Sequence, residues 1–297
     1  MHLRYRISDI IDYINWLYFF HAWGLPVKFA SIAKIHACDA CRASWIASFP
    51  LAEQEKAREA ARLFTDAQRQ LSRLTPYTTV HAKVELFDAN AQDDDIVLYI
   101  NINKEDKNQR FILPMLRQQH PDADGFCLCL ADFLRPIQQG VKDRVGVFAT
   151  SVRCTQPTGD DYSSLLIQTL CDRLAEAAAE RLHQQVRTTL WGYAPQEQLT
   201  MDELHAEKFQ GIRPAVGYPS LPDVSINFLI DRLISFESIG VTLTEHGMMQ
   251  PHASVSGLLF SHPKAHYFSI GEISEEQLQD YARRRNLPAD SLRKFIV

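Results

Sequence analysis

The stretch HAKVELFDANAQDDDIVLYINI, residues 81–102, decides the fold class. Polar and apolar residues alternate at both of its ends, 81–86 and 96–102, which is the period of a β-strand with one buried face. The acidic tip between them, residues 88–95, predicts a long turn that joins the two strands into a hairpin. Because hairpin-linked strands run antiparallel, we expect a largely antiparallel sheet.

Outward from this hairpin, the pattern predicts helices around one sheet. Helical periodicity covers residues 8–23, 52–74, 160–190, 200–208 and 224–236, and strand patterns cover 126–130, 145–152, 241–244, 253–260 and 267–270. Ser274-Glu275-Glu276-Gln277 is a capping box, which begins a helix that ends near Asn286. Without repeats or a charged linker, this order favours a single α+β domain over residues 1–297.

The composition is that of a globular chain. The 297 residues are 46% hydrophobic and 23% charged, with a formal charge of −5, which argues against disordered and collagenous classes. A mildly acidic balance gives no electrostatic reason to expect nucleic acid or an anionic membrane as partner. The most apolar N-terminal stretch, residues 10–23, is interrupted by polar residues and is shorter than the roughly 20 residues of a membrane span. We therefore expect a soluble, cytoplasmic protein.

The six cysteines are too few for a disulfide scaffold. Cys38 and Cys41, with His36 just before them, have the spacing of half a zinc site. A closed structural site needs four ligands and no second pair with metal spacing occurs, so the cysteines are expected to be ordinary core or surface thiols and no metal is predicted. The sequence also contains no nucleophile elbow, Walker loop or dinucleotide-binding glycine motif, which removes support for the common chemistries of those motifs.

Two other regions are dense in unusual residues. In GIRPAVGYP, residues 211–219, two glycines and two prolines fix a pre-shaped backbone that carries one arginine, a residue suited to a carboxylate. In ASVSG, residues 253–257, small residues predict a strand on which another segment packs closely. Composition alone allows a structural turn for the first region and a tightly packed sheet centre for the second.

Together with FSHP at residues 260–263, these regions resemble the activation domain of cobalamin-dependent methionine synthase. Further blocks in family order are YINW (13–16), ARLF (61–64), DRLAE (172–176), WGYAP (191–195) and DYARR (280–284). The resemblance spans about residues 7–286. It implies a single C-shaped α+β domain, with a twisted, largely antiparallel sheet flanked by helices.

The resemblance also implies a function. Members of the family bind S-adenosylmethionine and rescue methionine synthase after its cobalt has been oxidised to cob(II)alamin, using an electron from a flavodoxin-type donor. Here the cobalamin is expected on a partner methionine synthase chain that lacks this domain, so the chain would not be active alone. The alternative is an S-adenosylmethionine-binding accessory or sensor protein without methyl transfer.

The residues that match the family's S-adenosylmethionine site are Asn15, Glu176, Arg213, Ala215, Gly217, Tyr218, Tyr267 and Phe268. The resemblance implies that Arg213 binds the methionyl carboxylate of S-adenosylmethionine and that Glu176 lies near its amino group. It also implies that Tyr267 and Phe268 line the nucleoside end of the site. Backbone atoms of Ala215 contact the ligand. No catalytic residue is implied.

Three of these matches need a separate comment. Gly217 and Tyr218 lie on the loop of the gripping arginine, and the tyrosine is expected to face the corrin. Asn15 stands where the family usually has a carboxylate that pairs with the ammonium. An amide oxygen still accepts that hydrogen bond, but without charge assistance it is about half as strong. We therefore expect weaker S-adenosylmethionine binding than in typical members, unless another carboxylate substitutes.

Overall fold

The computed structural model describes residues 1–100, 109–121, 125–157 and 159–296. Its strands are β1 (His2–Tyr5), β2 (Thr78–Gln92), β3 (Asp95–Ile100), β4 (Gln109–Pro114), β5 (Asp143–Cys154), β6 (Thr242–Leu243), β7 (Met249–Gln250) and β8 (Ser254–Leu259). The central sheet has the order β4-β3-β2-β5-β8, with β1 paired to β2, and all its pairings are antiparallel. The short strands β6 and β7 form a separate antiparallel pair.

The helices are α1 (Ile7–Ile10), α2 (Trp16–Ala22), α3 (Asp39–Ala47), α4 (Gln54–Leu74), α5 (Asp161–Gln185), α6 (Met201–His205), α7 (Ile226–Ile234), α8 (Glu275–Arg285) and α9 (Ala289–Leu292). A π-helical turn, Val186–Leu190, extends α5. The α+β class with a largely antiparallel sheet is thus confirmed. The C-shaped outline and the single-domain organisation of residues 1–297 stay predictions.

Helices cover both faces of the sheet. On β5, Phe148 belongs to the same buried cluster as Leu182 of α5, whereas Val145 and Val147 belong to the cluster that contains Ile230 of α7. Since successive side chains of a strand point to opposite faces, α5 and α7 lie on opposite sides of the sheet. The layer order is therefore helix, sheet, helix.

Helix α5 carries the apolar stripe that the sequence predicts. Leu166, Leu170, Leu174 and Ala177 are all buried. The Asp160 carboxylate accepts a hydrogen bond from the Ser163 amide at 2.7 Å, which caps the first turn and fixes where the helix begins. The buried stripe packs one face of α5 into the protein interior, and the other face of the helix is available to line a site.

The prediction of one helix over residues 8–23 is wrong. Helix α1 passes into a 3₁₀ turn, Ile11–Tyr13, and α2 starts afresh at Trp16. The reason is Asn15, whose side-chain oxygen accepts a hydrogen bond from the Leu17 amide at 3.1 Å. An asparagine in this role is a helix N-cap, so the apolar spacing continues across a break in the backbone.

The long acidic turn predicted at residues 88–95 is also wrong. Strand β2 continues to Gln92, which pairs with Asp95, so only Asp93 and Asp94 form the turn. Polar Asn90 stays in the strand because its amide donates to the backbone oxygens of Arg135 and Val141. The hairpin itself is confirmed, although Ile102 lies outside the described residues.

Two predicted strands, residues 126–130 and 267–270, do not form. At the first, the Asp132 carboxylate accepts from the Cys129 amide and begins a 3₁₀ helix, Leu130–Phe133. At the second, Ile270 donates to the Pro219 oxygen at 2.9 Å, so this segment follows the loop at residues 211–219 and not the sheet. Strands β1 and β4 were not predicted, because β1 has only four residues and the apolar run in β4 does not alternate.

Helices α3 and α9 and strand β7 were not predicted either, and the other helices and strands agree with the sequence prediction to within a few residues at each end. The cap of α8 is confirmed, since the Ser274 hydroxyl accepts from the Gln277 amide at 3.2 Å. In the part of the chain that the structure describes, no helix has both the length and the apolar composition to cross a bilayer.

Candidate functional site

Residues 211–219, which we call the Arg213 loop, run along the open edge of β8. The Ile212 and Phe260 backbones exchange two hydrogen bonds of 3.0 Å, and the Val216 amide donates to the Ser256 oxygen at 2.9 Å. The loop therefore behaves as an irregular extra strand. Its backbone is held by the sheet, which fixes the direction of the side chains that it carries.

Close approach of the loop depends on Gly257 in β8. A Cβ atom at this position would lie 2.2 Å from the Pro214 oxygen and 2.9 Å from the Ala215 Cα. Any other residue would force the two backbones apart. The small residues at 253–257 thus mark a strand on which another segment packs closely, as the sequence predicts.

We expect Gly257→Ala to destabilise the protein by about 1–3 kcal/mol, the usual cost of an extra methyl group in a packed interior. Denaturant unfolding measures the loss, and hydrogen exchange at the Val216 and Leu258 amides reports whether the loop detaches. Gly159→Ala is the matched control, because a Cβ at that position meets nothing within 4 Å. Equal stability of the two variants would contradict this account of the docking.

A cavity of about 720 Å³, which we call the Arg213 cavity, lies between α2, α5, the Arg213 loop and residues 267–269. Seven of the eight predicted site residues line it: Asn15, Glu176, Arg213, Ala215, Tyr218, Tyr267 and Phe268. These seven residues come from four separate parts of the chain and converge on one concave surface. Its volume is within the usual range of small-molecule sites.

Arg213 and Glu180 form an ion pair in this cavity. Their Nη2 and Oε2 atoms are 2.5 Å apart, and each side chain is 15% exposed. Tyr267 holds the loop in place from the other side, since its hydroxyl accepts from the Arg213 amide at 3.0 Å. The Arg213 Nε and the Glu180 Oε1 are buried and have no hydrogen-bond partner among the described residues. The pair thus retains one unused donor and one unused acceptor.

Two further carboxylates stand in the same cavity. Glu176 accepts hydrogen bonds from Arg173 at 2.8 Å and from the Tyr218 hydroxyl at 3.1 Å. Burial raises the pKa of Glu207, and nearby Glu180 raises it further. Burial, and then Glu176, raise the pKa of Tyr218 to about 12, so this phenol stays protonated and donates.

Glu180 and Glu207 were not predicted as site residues. Glu180 could have been found, because it follows Glu176 by four residues on the same helix and therefore faces the same way. Glu207 follows α6, with a positive φ of 55°, and only the tertiary fold brings it to the cavity. The carboxylate that Asn15 lacks is thus available from other positions.

Gly217 is the predicted residue that does not line the Arg213 cavity. It lines a neighbouring cavity of about 390 Å³. The two cavities share Glu176 and Tyr218, so the tyrosine stands between them. Tyr218 is 52% exposed, which leaves its ring accessible from outside.

Comparisons with known proteins agree with this arrangement. Residues 6–286 match the family model described as "Vitamin B12 dependent methionine synthase, activation domain". A crystal structure of the MetH reactivation domain bound to AdoHcy superimposes with a TM-score of 0.82. The two sequences are 34% identical, over 99% of this chain and 88% of that one. The predicted resemblance, its extent and the fold class are confirmed.

Proposed function

Since the chain belongs to the vitamin B12-dependent methionine synthase activation domain family, we propose that its Arg213 cavity binds S-adenosylmethionine for the reactivation of a cobalamin cofactor. The observation that carries this proposal is the ion pair of Arg213 and Glu180 inside a 720 Å³ cavity. A guanidinium and a carboxylate side by side complement the two charges of an amino-acid end group.

At the methionyl end, Arg213 is assigned to the carboxylate of the ligand and Glu180 to its ammonium. Each side chain still has an unused polar atom, so a zwitterion adds partners to the pair without leaving either charge uncompensated. Glu176 and Glu207 add negative charge on the same side of the cavity. This arrangement favours a ligand that carries an ammonium and a sulfonium.

At the nucleoside end, we assign Tyr267 and Phe268 to the adenosine. Tyr267 is 36% exposed and Phe268 is half-buried, so both rings combine a packed edge with an accessible surface. Aromatic faces suit a flat heterocycle. The Ala215 backbone, held against Gly257, completes the wall, and Tyr218 at the junction of the two cavities is assigned to face the corrin.

The cobalamin is supplied by a partner methionine synthase chain, and it provides the cobalt that accepts the methyl group once a flavodoxin-type donor has delivered an electron. The role of this chain is to position S-adenosylmethionine. By fixing both ends of S-adenosylmethionine, the Arg213 loop and α5 hold the sulfonium methyl in one orientation, which lowers the entropic cost of the transfer. We place this reaction in the cytoplasm.

Asn15 offers a direct test of charge in the cavity. We expect Asn15→Asp to tighten S-adenosylmethionine binding by about 3- to 10-fold, because a charge-assisted hydrogen bond is roughly twice as strong as a neutral one. An aspartate also keeps the helix cap that Asn15 gives to Leu17, so stability should not change. Calorimetric titration measures the affinity, and Asn15→Ser is the control that caps the helix without adding charge.

The same titration tests the proposed function. Wild-type protein should bind one equivalent of S-adenosylmethionine, and the absence of saturable binding would overturn the proposal. The alternative, an accessory or sensor protein, is favoured by Asn15 and requires binding without transfer. It would be supported if the ligand bound but kept its methyl group in the presence of a cobalamin-loaded partner and a reductant.

A further inference from the structure

One cluster of metal-binding side chains lies outside the Arg213 cavity. His36, Cys38 and Cys41 each place one donor atom so that all three atoms lie within 4.8 Å of one another. Among the residues that the structure describes, they are the one group of three or more His, Cys, Asp and Glu side chains that converge in this way. None of them lines the cavity assigned to S-adenosylmethionine.

The three donors lie between two helical elements of the fold. His36 follows the 3₁₀ helix Val27–Lys34, and Cys38 is the N-cap residue of α3. The Cys41 amide, in the first turn of α3, donates to the Cys38 sulfur at 3.2 Å. The approach of the three donors is thus set by two anchored elements and not by a free loop.

Beneath the cluster, the two elements are joined by aromatic packing. The Trp45 ring of α3 meets Phe29 of the 3₁₀ helix edge-on, and its indole nitrogen donates to the Ser31 hydroxyl at 3.0 Å. Trp45 is only 8% exposed. This packing holds the three metal-binding atoms close together even when no ion is bound.

We propose that His36, Cys38 and Cys41 form a zinc site with three protein ligands and an open fourth position. Two thiolates and an imidazole are a ligand set that zinc prefers, and a site of this kind needs no fourth side chain. The sequence argues against a closed four-ligand site, and the geometry is consistent with an open one. The N–H bond to the Cys38 sulfur is an outer-shell contact of the type that orients metal ligands.

The surroundings suit an ion taken up from solution. Cys38 and Cys41 are half-buried and His36 is exposed, so the donors can be reached while the fourth position meets solvent. A bound ion would tie the end of the 3₁₀ helix to the start of α3. Because the complete ligand set exists only in the folded chain, binding stabilises the native state.

The test is zinc uptake by metal-depleted, reduced protein. We expect one equivalent of Zn²⁺ per chain, a higher Tm with Zn²⁺, and thiolate-to-metal absorption when Co²⁺ is used instead. Bound Zn²⁺ should also protect Cys38 and Cys41 from alkylation in the wild-type protein, a readout that needs no variant. Cys38→Ser and Cys41→Ser should abolish all of these effects, and His36→Ala should weaken binding by at least about 10-fold.

Cys127→Ser is the matched control, because Cys127 is also half-buried but lies outside the cluster. It should bind Zn²⁺ as the wild type does. The proposal would be overturned if Zn²⁺ bound equally well without Cys38, or if the reduced wild-type protein bound none. Titration with S-adenosylmethionine separates the two proposals, since the loss of zinc binding should leave ligand affinity unchanged.

Discussion

Arg213→Ala is expected to weaken S-adenosylmethionine binding by at least about 100-fold. Hydrogen bonds to charged groups contribute roughly 1.5–3 kcal/mol each, and the fork of an arginine supplies two of them to a carboxylate. The substitution also leaves Glu180, 15% exposed, without its cation. The repulsion between that carboxylate and the ligand carboxylate adds to the loss.

Two further variants separate charge from geometry. Arg213→Lys keeps the charge but loses the fork, so its affinity should fall between that of the wild type and that of the alanine variant. Arg153→Ala removes an exposed arginine of β5 that does not line the cavity, and it should bind normally. The measurement is calorimetric titration at fixed ionic strength, with circular dichroism to verify folding. Wild-type affinity in Arg213→Ala would remove this residue from the site.

The largest expected effect on stability comes from Arg187 and Glu197. The arginine is fully buried and the glutamate is 6% exposed, and two hydrogen bonds of 2.6 and 2.8 Å join them. The guanidinium also lies 4.1 Å from the centre of the Phe209 ring. Removal of one partner leaves an uncompensated buried charge, so Arg187→Met or Glu197→Leu should each cost about 3–5 kcal/mol.

The double variant, Arg187→Met with Glu197→Leu, should lose much less than the sum of the two single variants, because it leaves no unpaired charge. Lys34 and Asp202 form the control pair, since their side chains are 67% and 70% exposed. Breaking that pair should cost no more than about 1 kcal/mol. Denaturant unfolding measures all four changes, and equal losses for the buried and the exposed pair would contradict the assignment.

The backbone of Arg187 contacts one of the sequence blocks that carry the resemblance. The Arg187 oxygen accepts from the Ala194 amide at 2.9 Å, which closes the turn at residues 191–195. The hydroxyl of Tyr193 would lie 2.8 Å from a Cβ at Gly211, so this turn contacts the start of the Arg213 loop. The WGYAP block therefore contacts the Arg213 loop but does not line the Arg213 cavity.

The predictable parts of the fold are those determined by local sequence. The apolar stripe of α5, the Ser274 cap and the mostly apolar run of β5 each depend on residues that are close in the chain. The failures have causes of both kinds, since the break at Asn15 comes from a local helix cap, whereas the short turn after β2 has a tertiary cause. Asn90 stays in a strand because backbone groups 45 and 51 residues away satisfy its amide, and no local pattern reveals them.

The site could be predicted from the resemblance but not from pattern alone. On periodicity, Glu176 is an ordinary helical glutamate, and the Arg213 loop is an ordinary turn. Seven of the eight residues that the resemblance named line one cavity in the structure. Glu180 and Glu207 line the same cavity, but the resemblance did not name them. Glu180 was accessible to a periodicity argument, but the approach of Glu207 depends on contacts between distant segments.

Methyl transfer tests the central claim most directly. A cobalamin-carrying methionine synthase chain without its own activation domain would be mixed with methyl-labelled S-adenosylmethionine, a low-potential electron donor and this protein. We expect label to appear in methylcobalamin with the wild-type chain, to fall sharply with Arg213→Ala and to be inhibited by S-adenosylhomocysteine. Label transfer that is absent with the wild-type chain under every electron supply, or that is unaffected by Arg213→Ala, would contradict the account.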